Sequence, residues 1–244
     1  MNRIGIFNNG FIELLGSFGD DLTVVNAARC SFNSQKSELD SSDEKLIKYL
    51  AKNSHFSPFR GVHFRFLCQL PEMIVRQIYK HAIGITYTEC PINDSQWNEA
   101  SFRYIDGTTM GYWIPDSLRI QSKSNKQGSL EDSEGILDQS LIEEMKAHNE
   151  ASIALYKRLL DAKVCKEQAR SILTTSFNTK FTWTLSLQAL VNFLRLRLHK
   201  HAQKEIQEVA EILWKLSRPI CPISIDALMN HETPTTQDPC SVDK

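Results

Sequence analysis

The sequence GVHFRFLCQLPEMIVRQIYKHAIG, residues 61–84, contains the transition that decides the fold class. In its first ten residues, Phe64, Phe66 and Cys68 recur at every second position, which is the period of a half-buried strand. Pro71 then opens a stretch whose apolar residues recur at helical spacing, and a proline is well tolerated in the first turn of a helix. The sequence therefore predicts a strand followed directly by a helix.

The residues on both sides continue as strands and helices. FNTKFTWTLS, residues 177–186, alternates threonine with aromatic residues and predicts a second long strand, while residues 3–7 predict a short first one. Asp20 or Asp21 is expected to cap a helix. The apolar spacing predicts helices at 21–29, from Ser41 or Ser42 onward, and at 71–84, 138–161, 166–174 and 187–217, the last in one piece or two.

The order of these elements indicates an α+β fold. No internal repeat or low-complexity linker interrupts residues 1–230, which we expect to form a single domain with a central mixed β-sheet packed by helices. Residues 231–244 have the composition of a frayed C-terminal tail. Two polar stretches, at about 86–96 and 122–135, predict exposed loops.

Composition limits the function classes that are open to the chain. A net charge of -1 provides no basic field, so we expect no nucleic acid polymer as partner. The six cysteines form no C-x-x-C pair and have no zinc-ligand spacing, which predicts reduced thiols in a cytoplasmic protein. No apolar run approaches the roughly 20 residues that span a bilayer, so we expect no membrane partner.

The segment LVNFLRLRLHKHAQKEI, residues 190–206, places polar side chains within an apolar pattern. On one continuous helix, Arg197 would lie in line with leucines, on the side expected to be buried. A buried guanidinium is costly unless a carboxylate, a phosphate or a polarised carbonyl pairs with it. Two interpretations stay open, a structural ion pair, for instance with Glu205, and contact with a ligand. His199 and His201 form an H-x-H pair, a weak metal signal by itself, so no metal is expected.

A second polar cluster lies in QWNEASFRYID, residues 96–106. A hydroxyl from Ser101, a guanidinium from Arg103 and nearby backbone N–H groups could together bind one anion. Arginine suits phosphate because its planar fork makes two parallel hydrogen bonds. The alternative is a solvated turn in which Arg103 pairs with Glu99 or Asp106.

Taken together, these segments resemble flavin-dependent thymidylate synthases, in order and over about residues 10–228. GFIELLGSFGDDLTVVNAARCSF is similar to the family's G-x-x-x-L…G-x-D…A-A-R-x-S segment, and HFSPFRGVHFRF to its H-x-[TS]-P-F-x-x-x-x-F segment. NEASFRY matches the N-E-x-S-x-R-Y end of the family's defining motif. FTWTLSLQALVNFLRLRLHKHAQKEI is similar to its W-T-x-N-x-x-S-L-x-N-F-L-x-L-R…H-A-Q-x-E-I block.

The resemblance implies that FAD, NADPH and methylene-tetrahydrofolate are used to convert dUMP to dTMP, in a homotetramer whose active sites lie between subunits. The catalytic arginine of the family aligns with Arg197, where a fixed cation at the uracil N3–O2 edge would stabilise negative charge on the pyrimidine. The aligned dUMP contacts are Gln77, Lys80, Glu99, Ala100, Ser101, Phe102, Arg103, Arg170 and Arg197. The aligned FAD contacts are Ser57, Lys80, His81, Ala82, Ile83, Glu99, Ser186, Gln188, Asn192 and His201.

The chain also departs from the family pattern. The family's R-H-R triplet reads here as Lys80-His81-Ala82. Lys80 keeps a positive charge but cannot make the flat, two-pronged contact of an arginine, and Ala82 carries no charge. About ten extra residues near 86–96 separate this triplet from NEASFRY. The remaining departures are Arg60, where the family usually has Glu, and Ser186 and Gln188, which replace the more usual Asn and Arg.

Two rival functions remain open at this point. A related enzyme could modify UMP or another pyrimidine nucleotide at C5, because few contacts read the 2′-position. A nucleotide-binding homologue without flavin is the second rival, since the R-H-R triplet is altered. A cysteine nucleophile is not expected, because Cys90, which precedes a proline in the extra segment, lacks a defined nucleophilic setting.

Overall fold

A computed structural model describes residues 2–81, 97–123 and 128–230. Its strands are β1 Arg3–Ile6, β2 Gly10–Phe18, β3 His63–Pro71, β4 Trp97–Glu99, β5 Arg119–Gln121, β6 Ser129–Glu131 and β7 Asn178–Ser186. Its helices are α1 Asp21–Arg29, α2 Ser41–Lys52, α3 Glu72–Tyr79, α4 Leu141–Asp161, α5 Lys166–Ala169, α6 Leu187–Arg197, α7 Lys204–Ser217 and α8 Pro222–Met229. Short 3₁₀ turns lie at Cys30–Phe32, Ser57–Gly61 and Arg170–Ile172.

A five-stranded sheet in the order β1-β2-β3-β7-β4 forms the centre of the fold. Its described pairings are all antiparallel, so the α+β class is confirmed, whereas the expected mixed sheet is wrong. After β2 ends at Phe18, the chain passes through α1 and α2 and returns to the same end of the sheet. His63, the first residue of β3, pairs there with Phe18, so β3 runs antiparallel to β2. Strands β5 and β6 form a separate antiparallel pair.

Helices cover the sheet and share one apolar core with it. Phe66 of β3, Leu185 of β7 and Phe193 of α6 are all completely buried in this core. Helix α6 starts directly after β7, where the Ser186 hydroxyl oxygen accepts a hydrogen bond from the Ala189 backbone N–H at 3.2 Å. The junction fixes where α6 begins, and therefore where its last residue, Arg197, lies.

The first and last helices of the described chain are joined by a buried carboxylate. Asp21 is 3% exposed, and its two oxygens accept hydrogen bonds from the backbone N–H groups of Ile223 and Ser224, both at 2.9 Å. These groups belong to the first turn of α8, where a negative charge is favourable because the helix leaves N–H groups unpaired.

Several predicted elements are confirmed. The short first strand, the strand–helix pair around Pro71 and the strand that becomes β7 are all present, and Asp20 caps α1 in a reciprocal capping box with Thr23. The predicted helix over 187–217 exists in two pieces, α6 and α7.

Other predictions are wrong in detail. Asp40 rather than a serine caps α2, and the helix predicted over 166–174 ends at Ala169 before a 3₁₀ turn. The loop predicted over 122–135 contains β6, and β2 and α8 were not predicted. The helix predicted over 71–84 ends earlier, at Tyr79, with Lys80 as its C-cap. The stretch 86–96 and the tail 231–244 lie outside the described residues, so the domain boundary at 230 stays a prediction.

Candidate active site

A cleft opens where the segment after β4 faces α5 and the start of β7. Its volume is about 540 Å³. We call it the β4 cleft, and both acidic and basic side chains line it, among them Glu72, Arg76 and Glu167. Four of the residues that align with dUMP contacts also line it: Glu99, Ala100, Phe102 and Arg170.

Glu99 is held in this cleft through both of its carboxylate oxygens. The Thr179 hydroxyl donates to Oε1 at 2.8 Å, and the Trp97 indole N–H donates to Oε2 at 3.1 Å. Thr179 is 3% exposed, so this donor is fixed by the packing of β7. Ala100 is fixed next to it, because its backbone N–H donates to the Lys180 carbonyl at 2.7 Å.

The loop that follows β4 is fixed by α5. The Arg103 guanidinium makes a salt bridge of 2.7 Å with Glu167, and the Lys166 ammonium donates to the Tyr104 carbonyl at 2.9 Å. The Ser101 hydroxyl oxygen accepts from the Arg103 backbone N–H at 3.3 Å. Arg103 is therefore held by an acid, but the acid is neither of the two that the sequence suggested.

Both of those suggested pairings are wrong for a local reason. Glu99 is occupied by Thr179 and Trp97, while Asp106 accepts from the backbone N–H and hydroxyl of Thr108 in the adjacent turn. Short-range bonds of this kind are usual for aspartate in turns, and they leave Arg103 to the acid on α5.

Arg197 lies at the end of α6 and bonds to a histidine. Its Nε–H donates to the His81 Nε2 at 2.8 Å. Across the described residues no carboxylate lies within salt-bridge distance of Arg197. Burial lowers the pKa of Arg197, and burial together with the charge of Arg197 lowers the pKa of His81 to about 4. Arg197 is thus a half-buried cation next to a neutral imidazole.

The ion pair suggested between Arg197 and Glu205 is wrong. Glu205 instead makes a salt bridge of 2.6 Å with Arg119 and accepts from the Gln203 side-chain amide at 2.8 Å. The single helix assumed for that pairing ends at Arg197, so Glu205 belongs to α7 and is no longer in line with it. Gln77, an expected dUMP contact on α3, donates to the Gln203 side-chain carbonyl at 2.6 Å.

A chain of aromatic rings links the β4 side of the sheet to Arg197. Trp97 stacks on Phe181 with centroids 4.0 Å apart and lies 6.3 Å from Trp183. Trp183 packs edge-on against Phe193 at 5.5 Å, and Phe193 packs edge-on against His81 at 4.8 Å. Because the rings run from β4 through β7 to α6, the positions of Glu99 and Arg197 are fixed by one packed core.

The residues that align with FAD contacts are more scattered. Ser186 is used as the cap of α6, and Gln188 accepts from the Arg60 guanidinium at 2.7 Å. Ser57 is exposed in the 3₁₀ turn that ends at Gly61, and Asn192 is half-buried on α6. Lys80 and His201 are exposed, His81 bonds to Arg197, and Ala82 and Ile83 lie outside the described residues.

The H-x-H pair lies in the link between α6 and α7. The rings of His199 and His201 are 5.0 Å apart, and the His201 backbone N–H donates to the His199 Nδ1 at 3.3 Å. Within the described ranges, no group of three metal-binding side chains occurs. No helix in these ranges is long and apolar enough to span a bilayer.

Three residues near the candidate contacts were not predicted from the sequence. Thr179 fixes Glu99, Glu167 holds Arg103, and Gln203 bonds to Gln77. Thr179 lies between Asn178 and Lys180 near the start of β7, and all three partners are far away in sequence from the residues that they hold. No local pattern could have identified them.

Comparisons with known proteins agree on one family. The family model described as thymidylate synthase complementing protein matches residues 13–223. The chain is 35% identical over 228 residues to the flavin-dependent thymidylate synthase of Kosmotoga olearia, covering 93% of this chain and 94% of the relative. It is 31% identical to that of Thermus thermophilus, covering 93% and 78%.

A solved structure gives the same result. The UMP/dUMP methylase PolB from Streptomyces cacaoi, bound with 5-Br dUMP, superposes with a TM-score of 0.76 at 29% identity, covering 91% of this chain and 95% of PolB. The extent of these matches agrees with the motifs that run in order along the sequence. The chain belongs to the family of flavin-dependent thymidylate synthases.

Proposed function

We propose that the protein is a cytoplasmic homotetramer that converts dUMP to dTMP, with bound FAD and with NADPH and methylene-tetrahydrofolate as co-substrates. The observation that carries the proposal is the β4 cleft, which brings together Glu99, Ala100, Phe102 and Arg170 in a member of this family. These residues come from two segments about seventy positions apart in sequence, and the same four align with nucleotide contacts.

The nucleotide phosphate is expected at the cationic part of the cleft. Arg170 lines the cleft and makes no salt bridge with any residue in the described ranges, so its planar fork remains available to an anion. Arg103, on the neighbouring loop, can join it by exchanging Glu167 for the phosphate. Ser101 then adds a hydroxyl donor beside Arg103.

Arg197 is expected to meet the pyrimidine. Its Nε is occupied by His81, which leaves both Nη groups without a hydrogen bond to any described residue. A fixed pair of donors at the N3–O2 edge of uracil stabilises negative charge there, and this charge increases as bonds change at C5 and C6. Among the described residues no carboxylate lies within salt-bridge distance of Arg197, which supports a ligand as its partner.

The donor set around α6 fits a flavin dinucleotide. Lys80 offers a cation for a pyrophosphate, Ser57 offers a hydroxyl, and the amides of Asn192 and of Gln188, which is bonded to Arg60, can bond to the polar edge of a ring. When bound, the flavin supplies the redox chemistry, and the protein side chains hold and polarise it. His81, Glu99, Ser186, His201 and the undescribed Ala82 and Ile83 complete the expected set.

A shared site between subunits is supported by the division of the nucleotide residues in one chain. Glu99, Ala100, Phe102 and Arg170 line the β4 cleft, whereas Gln77, Lys80 and Arg197 do not. In a tetramer with sites between subunits, the two groups can meet at one nucleotide from neighbouring chains. Measuring the mass in solution tests this point, and a monomer that turns over dUMP would contradict it.

UMP is a second candidate substrate. The observation that favours it is the similarity to PolB, which is described as a UMP/dUMP methylase and has also been solved with 5-Br UMP, at a TM-score of 0.74. Comparing kcat/KM for dUMP and UMP decides between the two nucleotides. Equal or better use of UMP would replace dUMP in the proposal.

The activity is tested with purified, flavin-loaded protein. NADPH, methylene-tetrahydrofolate and dUMP are added, and the methylated nucleotide is identified by mass spectrometry. We expect Arg170→Ala to raise the dUMP dissociation constant by about tenfold or more, the effect of losing one charge-assisted contact. Arg158→Ala, at an exposed arginine on α4 outside the cleft, serves as the matched control. A colourless protein that stays colourless with FAD, or one that makes no methylated nucleotide, would refute the proposal.

A further inference from the structure

The contact between Arg197 and His81 determines the protonation of the imidazole. A guanidinium can only donate hydrogen bonds, so the His81 Nε2 that receives Nε–H at 2.8 Å must carry a lone pair. His81 is therefore neutral and carries its proton on Nδ1. Burial favours this neutral form, and the nearby charge of Arg197 favours it further.

His81 is well placed to act as a rigid acceptor. Its backbone N–H donates to the Ile78 carbonyl at 2.9 Å, directly after the end of α3. Its ring packs edge-on against Phe193, which is completely buried on α6. Both ends of the contact are thus attached to the core, the imidazole through α3 and the guanidinium through α6.

The contact selects which part of Arg197 is available to a ligand. Hydrogen bonding at Nε fixes the plane of the guanidinium, because Nε and both Nη groups are coplanar. The two Nη groups stay unbonded within the described residues. A long arginine side chain without such a contact samples several rotamers, and ordering it on binding costs free energy.

We propose that His81 is a positioning residue that orients Arg197 for the pyrimidine through a neutral Nε2 acceptor. The inference rests on the proposed role of Arg197 and deepens it. His81 holds the guanidinium plane before the nucleotide arrives, so the two Nη donors are preorganised. The Nδ1–H of the same ring stays available for a separate contact, so a flavin contact by His81 is compatible with this role.

The tautomer is tested directly on the unmodified protein. Imidazole ¹⁵N spectra are recorded for the flavin-loaded enzyme, and the His81 signals are identified by their loss in His81→Gln. We expect a protonated Nδ1 and an unprotonated Nε2 at neutral pH, and a loss of this preference in Arg197→Ala. An Nε2–H tautomer in the unmodified enzyme, or an unchanged tautomer in Arg197→Ala, would overturn the proposal.

The functional consequence is tested by a double-mutant cycle. We expect His81→Leu to lower kcat by about 10²-fold, the scale of a roughly 1 Å misplacement of a catalytic group. His81→Gln, whose side-chain oxygen can replace Nε2 as acceptor, should recover most of this loss. In the Arg197→Ala background, His81→Leu should change kcat by less than about twofold, since contacting residues lose their coupling once one is removed.

The outcomes separate this inference from the proposed function. If Arg197→Ala leaves dUMP binding and turnover unchanged, the proposed role of Arg197 fails, and the inference fails with it. If Arg197→Ala is impaired but His81→Leu keeps its full effect in that background, His81 acts independently of Arg197 and only the inference fails. Flavin absorbance of every variant is measured, so that a loss of cofactor is not mistaken for a loss of positioning.

Discussion

Thr179→Val isolates one hydrogen bond of the β4 cleft with almost no change in side-chain shape. Thr179 is 3% exposed, and its hydroxyl donates to Oε1 of Glu99 at 2.8 Å. Valine fills the same volume but cannot donate. Oε2 keeps the Trp97 indole N–H, so the carboxylate loses one of its two fixed donors.

The size of the expected loss in dUMP affinity depends on how exposed Glu99 is. A hydrogen bond to a charged group contributes about 1.5–3 kcal/mol. Glu99 is itself exposed, so water can replace the lost hydroxyl, and the lower end of that range applies. If Glu99 contacts the nucleotide as proposed, about 1.5 kcal/mol corresponds to a roughly tenfold weaker dUMP complex. Folding stability should change by less than about 1 kcal/mol, because valine leaves no unpaired donor behind and water can hydrate the exposed Glu99 carboxylate in the folded protein.

The assay is calorimetric titration of the flavin-loaded variant with dUMP, with thermal unfolding recorded in parallel. Thr184→Val is the matched control, since it makes the same chemical change on the same strand, next to Arg65 rather than β4. The reasoning is refuted if Thr179→Val binds dUMP as tightly as the unmodified protein, or if Thr184→Val weakens binding equally.

Three further perturbations test other contacts. Asp21→Ala removes two buried charge-assisted hydrogen bonds to α8 and should cost about 3 kcal/mol, a Tm lower by roughly 6–12 °C in calorimetry; an unchanged Tm would contradict this. Glu167→Gln frees Arg103 from an exposed salt bridge and should tighten dUMP binding by up to about fivefold; weaker binding would show that the acid helps the site. For buried Asp43, burial raises the pKa, but the Asp40 backbone N–H and Arg29 outweigh it and the pKa is lowered. The contribution of ionised Asp43 to the free energy of unfolding should therefore be present above about pH 4 and be lost as the pH decreases further. In denaturant titrations, Asp43→Asn should make the decrease in stability with falling pH less steep.

Amphipathic segments were the predictable part of the fold. The strand–helix pair at Pro71 and the alternation in β7 follow from side-chain period alone, because each buries one face in the core. Strand β2 was not predicted, because Gly10 suggests a break in secondary structure. A Cβ at Gly10 would lie 2.6 Å from the Ile6 carbonyl oxygen and 2.8 Å from that of Gln69, so the glycine instead allows close approach of the neighbouring strands.

Edge pairing and distant partners were the unpredictable part. Residues 97–99 look like part of a turn, yet they form β4 because β7 offers an edge with which they can pair. The site shows the same limit. An arginine in an apolar pattern indicates that something must pair with Arg197, but the pattern cannot indicate a histidine 116 positions away. Residue types therefore identified the candidate cations, and only the fold identified the groups that hold them.

The altered R-H-R triplet fits this division of roles. The first triplet position, Lys80, is exposed at the end of α3, where a change of cation alters no packing. The middle position keeps histidine, and this side chain contacts both Arg197 and the buried ring of Phe193. A lysine can still attract a pyrophosphate as a point charge, whereas no common side chain other than histidine offers a flat, neutral ring acceptor at that position. Charge at the surface of the site can therefore vary while the acceptor that orients Arg197 stays, and an enzyme with this triplet can retain its chemistry at the pyrimidine.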